Sequence, residues 1–328
     1  MKKSGKSNFV VNIHLEIASK FYIPNHLYLF MEPARIDFRD SISRNKWKSF
    51  FLMLGIFIVL LALVYVIGLA WGGFDDIFIL LIIAIIISLS YILISYYNSD
   101  KIAVASVGAK QVRREGKYKQ YYQLVEGLTI ASGLPMPKLY IMKSSQINAF
   151  ASGRDPQHAV ICVTEGALDK LDKRELEGVL AHELGHIASY DMRYMTLVAV
   201  MVGMISIISQ IFLRSLFFRG SGGGGNDKSK VIFMVIGIVL AILAPIVVFF
   251  VQMSISRKRE FGADANAVKF TRYPNGLIGA LKKIKNDVVK PEKKVSKAVA
   301  PLFFSNPFKG MSSTHPPIDK RIKHLERL

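Results

Sequence analysis

Apolar residues in this chain are gathered into long blocks. Four stand out: Phe50–Trp71, Ile77–Tyr97, Met195–Leu213 and Val231–Val251. Each is about 20 residues long, enough for a helix at ~1.5 Å per residue to span a ~30 Å hydrocarbon core. The third holds Ser206, Ser209 and Gln210 and the fourth holds Pro245. A buried core helix or a re-entrant hairpin therefore competes with a crossing there. The pattern as a whole predicts about four transmembrane helices in two hairpins.

Between the hairpins the period changes. Tyr118–Ser132 has helical spacing, and Lys138–Met142, Gln146–Ala151 and Ala159–Val163 read as short strands between turn signals. Thr164 can cap a short helix. Asp172 with Glu175 three residues on makes a capping box for the next helix. That helix opens Asp-Lys-Arg-Glu-Leu-Glu, so it begins in water and not in lipid. The expected fold is α+β and mostly helical. The expected divisions are residues 1–49, a hairpin over 50–97, a first folded part over 98–193, a second hairpin with a Gly-rich turn over 194–252, and a second folded part over 253–328.

Charge orients this arrangement. The chain has 43 Lys and Arg against 24 Asp and Glu, a net charge of +19, with 51% apolar residues. A basic chain can bind nucleic acid, but no such motif stands out, and Lys and Arg also collect on the cytoplasmic side of membrane proteins. The turn Gly72-Gly-Phe-Asp-Asp76 has no basic residue and two acids, which places it outside and the N-terminus inside. The turn Arg214–Lys230 carries basic residues around a Ser-Gly-Gly-Gly-Gly core and weakens this argument for the second hairpin. No cleavable signal peptide is expected, because the first apolar block begins only near Phe50. Cys162 is the sole cysteine, which excludes an intrachain disulfide and a thiolate zinc cluster. The basic segment Lys282–Lys297 reads either as a contact for anionic lipid headgroups or as a solvated loop.

The strongest chemical signal is Val179-Leu-Ala-His-Glu-Leu-Gly-His-Ile187. On a helix, positions i and i+4 share a face, so His182 and His186 can hold one zinc ion. Glu183 then lies near the open coordination position, where it can act as general base on a water. A third ligand is needed. A metzincin would have Gly at 189 and His at 192, whereas this chain has Ser189 and Met192. From there to Glu260 the only acids are Asp191 and Asp227. Asp227 falls in the outside turn. Asp191 is five residues past His186, off the ligand face, and reads as a local cap or surface acid. Glu260 is the leading candidate, with Asp264 four residues later placed to accept the free N–H of a ligating His. On spacing alone, a juxtamembrane helix whose acids pair with Arg257 and Arg259 is the stronger reading. Parity favours the site, because two crossings between 194 and 252 bring Glu260 to the side of the histidines.

These segments, with Ser256-Arg-Lys-Arg-Glu-Phe-Gly-Ala-Asp264, Ser313-Thr-His-Pro-Pro317 and Asn148-Ala-Phe-Ala151, resemble the signature series of HtpX-type membrane zinc metalloproteases, relatives of the CaaX prenyl proteases. The resemblance runs from about Asp40 to the C-terminus. It implies a gluzincin-like protease domain with zinc ligands His182, His186 and Glu260, base Glu183, and Asp264 behind a ligand. It implies that Asn148, Ala149 and Ala151 belong to a substrate-facing strand, which could pair with an extended substrate by β-augmentation. Asn148 also reads as a strand-end Asn bonded to its own backbone. His315 would stabilise an oxyanion; the sequence alone equally describes a loop His before a Pro-Pro turn. The family further implies a multi-pass protein of the cell membrane, its site on the cytoplasmic face, acting on misfolded or damaged membrane proteins.

Other readings fit less of the chain. A CaaX-type prenyl protease usually has more membrane helices. A site-2-like protease would bury the motif in an apolar span, whereas Lys173, Arg174, Glu175 and Glu177 precede it here. A non-catalytic chaperone would not need every catalytic residue. A transporter would be expected to carry ionisable groups deep in its spans.

Overall fold

The computed structural model describes residues 38–71, 77–199, 237, 239, 257–287, 302–305 and 316–328. Residues 1–37, the Gly-rich turn, His315, and the third and fourth apolar blocks apart from 195–199, 237 and 239 lie outside the described residues. By contact the chain divides into Met1–Ser41 and Ile42–Leu328; the sheet, the helices beyond Ser41 and the candidate site all belong to the second unit.

Helix α1 spans Phe38–Trp71 and α2 spans Ile77–Tyr97. Neither contains proline, and apolar residues run through both. Among the described residues, one helix, Ile42–Ala62, is long and apolar enough to cross a membrane. A second qualifies if Leu81–Tyr97 and the helix Ser99–Ser106 (α3), bent by 75° at their junction, form one broken span. Of the four expected crossings, only the first two blocks fall among the described residues, apart from 195–199, 237 and 239. Phe51, Ile58, Ile86 and Ile94 point outward along these helices, as faces covered by hydrocarbon do. On the inner side, Leu52, Ile56 and Leu60 of α1 and Ile92 of α2 pack with Tyr194, Leu197 and Val198 of the helical stretch 191–199.

The folded part contains a four-stranded sheet in the order β1-β2-β4-β3, built from Lys110–Gln111, Lys138–Met142, Ala149–Gly153 (β3) and Ala159–Thr164 (β4). β2 and β4 are parallel, and the other pairs are antiparallel. The first and last predicted strands fall where expected. The middle one begins three residues late, because Thr164 occupies the backbone before it. Its Oγ1 donates to the carbonyls of Gln146 or Asn148 and accepts from the N–H of Asn148, so the ladder opens at Ala149↔Val163.

Helix α4 is Lys119–Ser132, and α5, Glu165–Lys170, is capped by Thr164 as expected. The central helix α6 spans Lys173–Ala188. Asp172 accepts from the N–H groups of Arg174 and Glu175, and Glu175 accepts from Asp172 N at 2.8 Å, completing the capping box. Past this polar start, every residue from Gly178 to Ala188 is buried. Two further helices, α7 (Arg257–Thr271) and α8 (Pro274–Asn286), grip α6 where it has no side chains. A Cβ on Gly178 would meet Leu277 N at 2.5 Å, and one on Gly185 would meet Ala263 O at 3.0 Å. Helix α9, Ile318–Leu325, closes the site from the C-terminus.

Candidate metal centre and active site

Helical spacing on α6 sets His182 and His186 ring to ring, with centroids 4.7 Å apart and Nε2 atoms 3.1 Å apart. Glu260 enters from α7, its carboxylate oxygens 3.8 Å from His182 Nε2 and 3.7 Å from His186 Nε2. One ligand atom from each of the three lies within 4.8 Å of the others. The approach depends on Gly185, which lets α7 lie against α6 at Ala263.

Each imidazole turns its other nitrogen to a carboxylate. His182 Nδ1 is 2.9 Å from Asp264 Oδ1, and His186 Nδ1 is 3.4 Å from Asp191 Oδ2. An Nδ1–H donated to a carboxylate leaves the Nε2 lone pair for a cation. Asp264, four residues past Glu260 on α7, lies beside His182. Asp191 departs from the sequence reading: it is 2% exposed and is neither a surface acid nor a cap. Five residues past His186 on a straight helix it would miss the face. However, α6 ends at Ala188, Tyr190 takes a left-handed backbone (φ 58°), and the chain folds back. That turn carries Asp191 under the ring.

Arg321 of α9 went unnoticed in the sequence. Its Nε and Nη2 donate to the two oxygens of Asp264 at 3.0 and 2.6 Å, a bidentate fork. Its Nη1 is 3.4 Å from Glu260 Oε2, and its Nη2 is 3.2 Å from His182 Nδ1. The available signal was its position beside Ile322 and one turn before Leu325, on the buried face of an otherwise charged helix.

Burial sharpens the electrostatics. Glu183, Asp191, Glu260 and Asp264 are all buried, with the guanidinium of Arg321 against Asp264 and Glu260. Buried carboxylates need positive or hydrogen-bonding partners. Burial and the charge of Arg321 push His182 down to about 4, against the pull of Asp264. Burial also lowers His186, but its bond to Asp191 and the charges of Glu260, Asp191 and Glu183 prevail and raise it to about 9. Burial raises Asp264, and the charge of Arg321 with the bond to His182 overcomes it and holds Asp264 at about 2. The two rings, Nε2 to Nε2 at 3.1 Å, are thus shifted in opposite directions. Two imidazole nitrogens and a carboxylate, all buried and within 4.8 Å of one another, form a donor set that fits a zinc ion.

Asn148, Ala149 and Ala151 lie at or on β3, one of the two edge strands of the sheet. The edge is covered by Leu302–Ser305, a segment that sequence reasoning passed over. Phe303 bridges Phe150 in antiparallel fashion, and Phe304 N donates to Ala149 O at 2.7 Å. Asn148 Nδ2 donates to Ser305 O at 2.8 Å, and its Oδ1 accepts from Ser305 N at 3.1 Å and from Ala149 N at 3.0 Å. The Phe304 ring meets His182 edge-on, 4.9 Å between centroids, and Arg321 lies over its face. The only cue was a Leu-Phe-Phe run in a basic tail.

Comparison with known proteins shows the family. Residues 115–328 match peptidase family M48. The protease HtpX homolog of Caldanaerobacter subterraneus subsp. tengcongensis is 43% identical over 265 residues, covering 79% of this chain and 86% of the relative. That of Dictyoglomus thermophilum is 39% identical over 295 residues, covering 89% and 95%. That of Listeria monocytogenes serotype 4a is 38% identical over 305 residues, covering 88% and 99%. Among solved structures, the crystal structure of S. mikatae Ste24p has a TM-score of 0.44 and 18% identity, covering 87% of this chain and 66% of that one. With the family match running through the ligand helix to the C-terminus, the chain belongs to peptidase family M48, among its HtpX-type membrane metalloproteases.

Proposed function

We propose that this metalloprotease is a zinc-dependent endopeptidase of the cell membrane that cleaves misfolded or damaged membrane proteins at its cytoplasmic face. His182, His186 and Glu260 hold the metal. The observation that carries this reading is the convergence of their ligand atoms within 4.8 Å, with a carboxylate behind each imidazole. On this reading residues 1–49 are a cytoplasmic segment, 50–97 and 194–252 are membrane hairpins, and 98–193 and 253–328 together form the protease domain.

A zinc ion bound there supplies Lewis acidity for the scissile carbonyl and for the attacking water. Glu183 takes the proton from that water and returns it to the leaving amine. It lies in the buried second half of α6, next to His182 in the chain. Asp264 and Asp191 hold the imidazole tautomers, and Arg321 locks Asp264. His315 is assigned to the oxyanion on the family resemblance. Substrate backbone pairs with Asn148–Ala151 in the place now taken by Leu302–Ser305. Main-chain pairing of that kind is largely independent of sequence and suits unfolded segments.

The test is cleavage of casein by the detergent-purified chain with added zinc, beside Glu183→Gln. Fragments from the wild type alone are expected. Equal cleavage by both, or none from a wild type holding one zinc per chain, overturns the assignment. For the substrate class, a membrane protein unfolded by mutation should be cut faster than its folded parent, and equal rates would refute that part.

A further inference from the structure

The histidine-bearing helix α6 does not end alone. Helix α1, which holds the apolar span Ile42–Ala62, touches its last turn at the break that redirects Asp191. Asn45 of α1 donates from Nδ2 to Asp191 Oδ1 at 2.7 Å and to the carbonyl of Ser189 at 3.0 Å. It is 7% exposed. The next residue, Lys46, sets its ammonium 4.6 Å from the centre of the Tyr190 ring, the residue with the left-handed backbone. The two oxygens of Asp191 are thereby divided, one to Asn45 and the other to His186 Nδ1.

We propose that Asn45 is a positioning residue for the metal centre: by holding the break at Ser189–Asp191 it keeps Asp191 under His186, and so sets the orientation of that ligand. The inference rests on the zinc-site reading given above. Its physical basis is the alternative open to the chain. Both α6 and the stretch 191–199 are helical, and a non-glycine residue at φ 58° between them is unfavourable. Released from α1, the two helices can run on as one, and Asp191 then leaves the ligand face. The Ser189 carbonyl at the end of α6 has no helical N–H ahead of it, and the Asn45 amide satisfies it. The membrane helix is on this account part of the metal site's support, and more than an anchor.

The experiment uses the full chain in detergent. Zinc affinity is measured by competition with a chromophoric chelator, and the cobalt-substituted protein reports ligand geometry through its visible spectrum. Asn45→Ala is expected to weaken zinc binding about 10–100-fold, the range for losing a group behind a ligating His, and to shift the cobalt spectrum. Asp191→Asn should do the same, and the double variant should be no worse than Asp191→Asn alone, because both act along one path. Asn45→Gln keeps the donor and should recover part of the affinity, which also serves if Asn45→Ala does not fold. Ser49→Ala, one turn along α1, removes a buried hydroxyl that donates to the Asn45 carbonyl and leaves the Asn45 side-chain amide in place, so zinc affinity should stay unchanged. Wild-type affinity and spectrum in Asn45→Ala, or losses that multiply in the double variant, overturn the inference. Failure of the underlying zinc reading looks different: His186→Ala would then bind zinc as the wild type does.

Discussion

Arg321 and Asp264 form a forked ion pair at the back of the site, with N–O distances of 3.0 and 2.6 Å and neither residue more than 2% exposed. Removing one partner of such a pair leaves a buried charge unanswered, at about 3–5 kcal/mol. Arg321→Ala should therefore cost stability on that scale and also weaken zinc binding, since Asp264 orients His182. Arg321→Lys cannot rebuild the fork and should recover little of either. Thermal unfolding and zinc content, measured together, check this; an Arg321→Lys protein equal to wild type in both would refute it.

The opposed shifts of the two histidines predict proton release. In the metal-free protein His186 is raised to about 9 and His182 is lowered to about 4. The raised group stabilises the metal-free fold below its ordinary value near 6.5, and this contribution fades as pH climbs through about 9. Metal binding must remove the same proton, so zinc affinity should rise with pH up to about 9. Calorimetry at about pH 7.5 in buffers of different ionisation enthalpy should report about one proton released per zinc. Affinity flat across that window would contradict the assignment.

Three glycines should respond with different signs. At Gly178 an added methyl would stand 2.5 Å from the backbone of α8, so Gly178→Ala should cost about 1–3 kcal/mol through displacement of that helix. At Gly185 the contact is 3.0 Å to the backbone of α7, which carries Glu260; Gly185→Ala should lose zinc affinity out of proportion to stability. Gly127, exposed on α4, has nothing within 4 Å of an added Cβ, and Gly127→Ala should stabilise by up to ~1 kcal/mol. Melting temperatures of the three variants check the order.

On the proposed substrate pairing at the head of β3, Asn148→Ala should lower kcat/KM for an unfolded protein about tenfold, through a KM increase. The bonds it now makes to Ser305 show that it can grip both an N–H and a C=O of an extended strand. Unchanged steady-state kinetics would remove Asn148 from the substrate track.

What the sequence discloses, and what it hides, depends on how local each signal is. The ligand helix, its capping box and the 138–142 strand obey short-range periodicity and are legible at once. Asp191 is misread because helical spacing presumes an unbroken helix, and Tyr190 breaks it. Arg321 is hidden because its partners, Asp264 and Glu260, lie more than fifty residues away. Helix α1 extends twelve residues ahead of its apolar block, because Asn45 and Ser49 continue the buried stripe of Leu52, Ile56 and Leu60. A polar residue on such a stripe is a signal, but only once the stripe is drawn backwards from the apolar run.

The segment Leu302–Ser305 on the edge of β3 also sets a concentration scale. A segment tethered in the same chain competes at an effective concentration of about the millimolar range. Under the pairing proposed here, a short peptide at micromolar levels adds too few contacts to displace it. A long extended chain, able to pair along the whole of Ala149–Gly153 and beyond, can. The occupied edge would then act as a length filter: peptides already cut to a few residues lose the competition and leave, and chains that still have a long unfolded stretch to offer are admitted.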